Sequence, residues 1–204
     1  MGGVQRVVAQ FGADRPVQGD PTTCGSAVLV VVAAAGDRRV ARWLATGDDR
    51  TSTDRFAALQ QTVKVASNRG ALLGLPWPSG LGTPPWGAAR VARFGTVRYT
   101  HRILVDTDPG QSGPLLDHAV AAARGGFPVP LYTGGDTRGG LDAAVPRHVV
   151  LLTSPDGEAL EIYEPSSGRM LPITGDELAR GGTRRPAYGN WSHVSWVLLP
   201  VVPD

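Results

Sequence analysis

VQGDPTTCGSAVLVVVAAAG, Val17 to Gly36, decides how the rest of the chain is read. It holds the only cysteine, Cys24, after a Pro-Thr-Thr turn and ahead of a run of small and apolar residues. Pro and Thr mark a helix start there, and Gly36 its stop. The Val run also suits a strand, but its alanines and its length of about ten residues favour a buried helix. A thiol at a helix N-terminus meets unpaired N–H groups and the positive end of the dipole. Both favour the thiolate, which is the nucleophilic form. A cysteine among Gly, Ser and Ala is also an ordinary small core residue, so the reading turns on its partners.

The 204 residues are 42% hydrophobic and 19% charged, enough for one core and short for two, so residues 1–204 are expected to form a single domain. With 27 glycines and 17 prolines it should be rich in loops. RVVAQF near the N-terminus reads as a short strand or edge segment. DRRVARWLATG reads as a helix, and STDRFAALQQTVKVASNRG as an amphipathic one capped by Ser52 or Thr53 and stopped by Gly70. Residues 71–87 are an irregular loop of Pro, Gly and Trp, in which Trp77 and Trp86 serve as packing anchors or line a groove. A short helix in AARVARFG, the strand VRYTHRILVD, the helix GPLLDHAVAAARGG and the strand FPVPLYTG follow. RHVVLLT and ALEIYEP form a hairpin around SPDGE, then come a short helix in TGDELARGG and a closing strand in SHVSWVLLPVV. Helices first and a mostly antiparallel sheet second predict an α+β fold.

A thiol nucleophile needs a base, and the base needs a group that orients it. Of the four histidines, His148 opens the apolar strand RHVVLLT. A three-residue loop, Pro155-Asp156-Gly157, would set His148 opposite Glu164, Val150 opposite Ile162 and Leu152 opposite Leu160. A carboxylate at that place fixes the imidazole tautomer and stabilises the imidazolium. Gln18 precedes Cys24 by six residues, and its amide suits an oxyanion donor beside the Cys24 N–H. His101, His118 and His193 have no such partner in the pattern. Thr133 to Pro146, with four glycines, runs into the His148 strand and is expected to be a mobile lid or specificity loop. Within it, Asp142 is an alternative partner for His148.

These residues resemble the papain-like cysteine peptidases, most closely the bacterial branch of bacteriocin-leader (double-glycine) peptidases and their stand-alone relatives. The resemblance rests on Gln-x5-Cys-Gly in QGDPTTCGSAVL, on the helix and apolar strand of LLDHAVAAARGGFPVPLYTG, and on HVVLLTSPDGEALEIYEPSSG with its acidic-Pro-x-x-Gly turn. It covers the two ends of the chain better than the middle, and Glu164 stands where that family usually has Asp or Asn. It implies a papain-like fold in which N-terminal helices carrying the cysteine pack on a sheet carrying the histidine and the acid. It further implies Cys24 as nucleophile, His148 as base, Glu164 as orienter and Gln18 as oxyanion donor. The implied reaction is hydrolysis of a peptide or isopeptide bond in a peptide or protein substrate through a thioester, without a cofactor. Glutamine deamidation, transamidation and acyl transfer share that thioester and form the second class. A degenerate domain that only binds peptide is the third.

Other classes find little support. The net charge is +2, and all but one of the twenty basic residues are arginine, with no basic cluster interleaved with aromatics to hold nucleic acid. One cysteine rules out an internal disulfide and a multi-cysteine metal site. DTDPGQSGPLLD from Asp106 only faintly resembles a calcium loop, since Gln111 replaces the required glycine. The longest apolar run is too short for stable membrane insertion, and no signal-peptide core precedes it, so a cytoplasmic location is expected.

Overall fold

The computed structural model describes residues 2–104, 109–135 and 147–201. Its centre is an antiparallel sheet of seven strands: β1 (Arg93–Phe94), β2 (Val97–Ile103), β3 (Val129–Gly134), β4 (His148–Thr153), β5 (Leu160–Glu164), β6 (Arg169–Ile173) and β7 (His193–Val201). They lie in the order β1-β2-β7-β3-β4-β5-β6, so the closing strand β7 is inserted between β2 and β3. The helices are α1 (Gly3–Ala9), α2 (Cys24–Gly36), α3 (Arg38–Thr46), α4 (Ser52–Asn68), α5 (Pro85–Val91), α6 (Pro109–Arg124) and α7 (Gly175–Ala179). Mixed helix and antiparallel sheet is the α+β class expected. No helix among the described residues is long and apolar enough to cross a membrane.

Strand alternation divides the core. Val149 and Leu151 of β4 join Tyr132, Tyr163 and Leu198 against α1–α5, while Val150 and Leu152 join Leu131, Ile162 and Val197 against α6 and α7. The helix α2 is buried nearly all round, Cys24 to Val32 without a break, which is why it shows no polar stripe. Its small residues permit that burial. A Cβ at Gly36 would come within 2.3 Å of the Gly95 backbone nitrogen.

Three expectations are corrected. RVVAQF is not a strand: it falls largely in α1, whose buried residues Val4, Val7 and then Phe11 recur at helical spacing. The alternation seen within RVVAQF alone misleads because it omits Val4. The cap of α4 is Thr51, which forms a capping box with Asp54, because neither Ser52 nor Thr53 lies outside the first turn. The hairpin turn is longer than three residues. Leu151 faces Tyr163, Leu152 faces Ile162 and Thr153 faces Glu161, a register two residues away from the expected one. Asp156 stabilises the wider turn by accepting from the N–H groups of Glu158 and Ala159, each at 2.9 Å.

Replacement of Gly36 by Ala is expected to force α2 off β1 and to lower stability by about 1–3 kcal/mol, the usual cost of overpacking. Urea unfolding measures it, and an unchanged midpoint would show that β1 yields without cost.

Candidate active site

The loop before α2 is built from its own polar groups. The Asp20 carboxylate accepts from the Thr22 N–H at 2.7 Å and the Thr22 hydroxyl at 2.5 Å, and the Asp20 N–H donates to the Thr23 hydroxyl oxygen at 3.0 Å. These bonds, Thr22 first, hold the Asp20 carboxyl below its ordinary range against the opposing effect of burial. Three side chains of α4 hold this loop and the neighbouring one. Gln60 accepts from the Gly19 N–H at 3.0 Å and donates to the Val17 carbonyl at 3.2 Å, and Lys64 donates to the Thr22 hydroxyl. Asn68 donates to the Gly82 carbonyl at 3.2 Å. Sequence reasoning missed these residues. The signal was a row of polar side chains at spacing four, Gln60, Lys64 and Asn68, on a helix treated only as amphipathic.

Cys24 is the first residue of α2 and 5% exposed. The first backbone bond of the helix runs from the Ala27 N–H to the Thr23 carbonyl, and the N–H groups of Cys24, Gly25 and Ser26 find no backbone acceptor among the described residues.

His148 is the first residue of β4, opposite Thr133 of β3. Its Nε2 lies 2.8 Å from Glu164 Oε1, and the imidazole borders the same cavity as the Cys24 thiol, near enough for the thiol to act on its pKa. With Nε2 on the carboxylate, Nδ1 is the nitrogen left for the thiol. The ring packs against Gly189, in the left-handed region at φ +64°, where a Cβ would come within 2.3 Å of His148 Cδ2. Burial pushes the imidazole towards its neutral form, but the bonds and charges of Cys24 and Glu164 outweigh it and raise the pKa to about 9.

Glu164 ends β5 and is 4% exposed. Its Oε1 also accepts from the Ser166 N–H at 2.8 Å, and its Oε2 accepts from the Ser167 N–H at 2.9 Å and hydroxyl at 2.7 Å. Burial opposes ionisation, yet these bonds and His148 bring the carboxyl down to about 2. Ser166 and Ser167 were missed as separate residues, although the Glu-Pro-Ser-Ser-Gly turn that supplies them was visible.

The structure therefore sets Cys24 and His148 on one cavity, with Glu164 bonded to His148 behind it. Gln18 lies beside them in a different attitude. Its amide nitrogen donates to the Asp20 carbonyl at 2.8 Å, and its amide oxygen accepts from the Ser166 hydroxyl at 3.1 Å. A cavity of about 440 Å³ adjoins Cys24 and His148, lined in part by Trp77, Leu81, Thr83 and Tyr132, and Gln18 is not among its walls. Trp77 thus borders the cavity, whereas Trp86 anchors its loop by donating to the Ala71 carbonyl at 2.7 Å. The expected lid lies outside the described residues from position 136 to 146, Asp142 included. Among the described residues no cluster of side chains is suited to hold a metal ion.

Comparison with known protein families, with curated proteins and with solved structures finds no match to this chain.

The pair sets a pH window. A histidine raised from 6.5 to about 9 adds stability that is complete below about pH 6.5 and is lost as the pH climbs through 9. A carboxyl lowered from 4.5 to about 2 adds stability that is complete above about pH 4.5 and is lost as the pH falls towards 2. Both contributions are complete between about pH 4.5 and 6.5. Thermal melts of wild type and His148→Ala are expected to differ most in that window and to converge towards pH 9. A constant difference from pH 5 to 9 would refute the assignment. Gly189→Ala is expected to push the ring off Glu164 and to lose the same pH-dependent increment.

Proposed function

We propose that the chain is a papain-like thiol hydrolase that cleaves a peptide or isopeptide bond. The observation that carries the reading is a buried helix-start cysteine bordering the same cavity as a strand-start histidine, which is itself bonded to a carboxylate held by three donors of its own turn. The layering supports it too: the cysteine helix packs on an antiparallel sheet that supplies the histidine and the acid, as the resemblance in the sequence implies.

In this reading the imidazolium of His148 and the thiolate of Cys24 form the resting pair. The thiolate adds to the carbonyl carbon, and the carbonyl π electrons move onto oxygen, where the free N–H of Cys24 meets the developing charge. The tetrahedral adduct collapses, the carbon–nitrogen bond breaks, and His148 delivers its proton to the departing amine. A thioester remains. Neutral His148 then takes a proton from water as the hydroxide adds to the thioester carbon. Cleavage of the carbon–sulfur bond releases the acid and returns the thiolate and the imidazolium. Glu164 keeps Nε2 protonated throughout and stabilises the charged ring.

Iodoacetamide tests the resting pair. At pH 6 an ordinary thiol is well under about 1% ionised and reacts slowly. Cys24 is expected to be alkylated rapidly there, and intact mass reports the adduct because no other cysteine exists. His148→Ala should slow the labelling at least about tenfold at that pH, since the imidazolium no longer favours the thiolate. Glu164→Gln should slow turnover by at least about tenfold and lower the melting temperature near neutrality, where the carboxylate's stabilisation is fully present. Slow labelling at pH 6 that is indifferent to His148→Ala would sink the hydrolase reading.

A further inference from the structure

The cavity beside Cys24 contains a polar group that the proposed chemistry leaves unused. Thr83 is 5% exposed, and its hydroxyl makes no hydrogen bond among the described residues. The backbone around it is fixed, because the Tyr132 hydroxyl donates to the Thr83 carbonyl at 3.0 Å and Asn68 holds the preceding carbonyl. The side chain lies against the first turn of α2. A Cβ at Gly25 would come within 2.8 Å of Thr83 Cβ and 3.0 Å of its Oγ1, so glycine after the cysteine is what makes room for it. The surrounding walls are mostly apolar, chiefly Pro21, Trp77, Leu81, Pro84, Pro85 and Val149, with Arg147 and Thr22 as polar members beside His148, and the three prolines bring no backbone N–H.

A buried hydroxyl without a partner costs about 1–3 kcal/mol, a cost removed when a bound group completes the bond. An apolar side chain of the same shape would leave it in place, and a cationic one would lose its hydration beside Arg147 and His148. We propose that this cavity is a substrate side-chain subsite in which the Thr83 hydroxyl selects a residue bearing a hydrogen-bonding side-chain oxygen, of the asparagine or glutamine type. The proposal rests on the thiol-hydrolase reading, since it makes the cavity the substrate cleft of Cys24. It gives Thr83 a task in specificity and none in the bond-breaking steps.

Peptidyl chloromethyl ketones are the probe. The Cys24 sulfur displaces chloride, a carbon–sulfur bond replaces the carbon–chlorine bond, and intact mass reads the rate without any turnover. Reagents are compared in pairs that differ only in Asn or Leu, which are close in shape, at each of the two residues before the ketone. At one of these positions the Asn reagent is expected to react about 5- to 100-fold faster, the factor that corresponds to one restored buried hydrogen bond. Thr83→Val keeps the shape and removes the hydroxyl, so it should abolish or invert that ratio, while Thr83→Ser should retain it. Iodoacetamide, too small to fill the subsite, should label both variants like wild type. Equal Asn and Leu rates at both positions, or a ratio unchanged in Thr83→Val, would overturn the subsite and leave the hydrolase reading standing. Slow iodoacetamide labelling that is insensitive to His148→Ala would overturn both.

Discussion

The 2.8 Å bond between His148 and Glu164 is the constraint around which the rest of the site is organised. Each group is less than a tenth exposed, and breaking a buried charged pair leaves the survivor uncompensated at a cost of about 3–5 kcal/mol. The pair is tolerable only because the carboxylate's other acceptor positions are filled by Ser166 and Ser167. That requirement fixes the turn after β5. Gly168 closes it at φ +64°, so close to Arg15 that a Cβ would lie within 2.8 Å of the Arg15 Cβ. The same turn receives the Gln18 N–H on the Pro165 carbonyl at 2.8 Å, and the Tyr163 hydroxyl reaches the Pro16 carbonyl at 2.5 Å. The segment that leads to Cys24 is thereby tied to the turn that holds the acid, and thiol and base are positioned by one set of bonds.

A second set approaches from the other side. Gln60, Lys64 and Asn68 face the two loops that flank Cys24: Gln60 and Asn68 bond backbone groups there, and Lys64 donates to the Thr22 hydroxyl that itself donates to Asp20. Lys64 is the one lysine of the chain, and it is 9% exposed beside Asp20. A buried ammonium is tolerable there because the Thr22 hydroxyl accepts from it and the Asp20 charge acts on it from nearby. A helix with this much polar burial has a weak amphipathic pattern, which is why sequence periodicity located α4 well and described its inner face poorly.

Much of the architecture could be read in the chain because it follows from local rules. The Val and Ala run from Cys24 gave a buried helix, and α3, α4, β2, β3, β4, β5 and β7 fall where apolar periodicity and Gly stops put them. Long-range pairing was harder. The position of β7 between β2 and β3 leaves no trace in local pattern. The hairpin register was misjudged by two residues because Asp156 stabilises a wider turn than Pro-Asp-Gly suggests. The site was still legible, for a geometric reason. Side chains in a strand repeat every two residues, so a slip of two keeps each residue on its own face, whereas a slip of one would have parted His148 from Glu164. The attitude of Gln18 was not legible, since it depends on Ser166, which is distant in sequence.

The register also accounts for the length of the acid. Continued by one pair beyond Leu151 and Tyr163, the ladder sets Glu164 beside Val150 and makes it a diagonal neighbour of His148. Diagonal positions are about 7–8 Å apart at Cα, against about 5 Å for residues directly opposite. Aspartate opposite a histidine spans the shorter gap, while the longer one needs another methylene. Glutamate at this position is therefore matched to the displaced ladder. It reaches His148 at 2.8 Å and still leaves its second oxygen to Ser167. The wider SPDGE turn, the two-residue displacement and the choice of Glu over Asp are three expressions of one geometry. Shortening the acid alone would break the bond that the longer turn has made necessary to span.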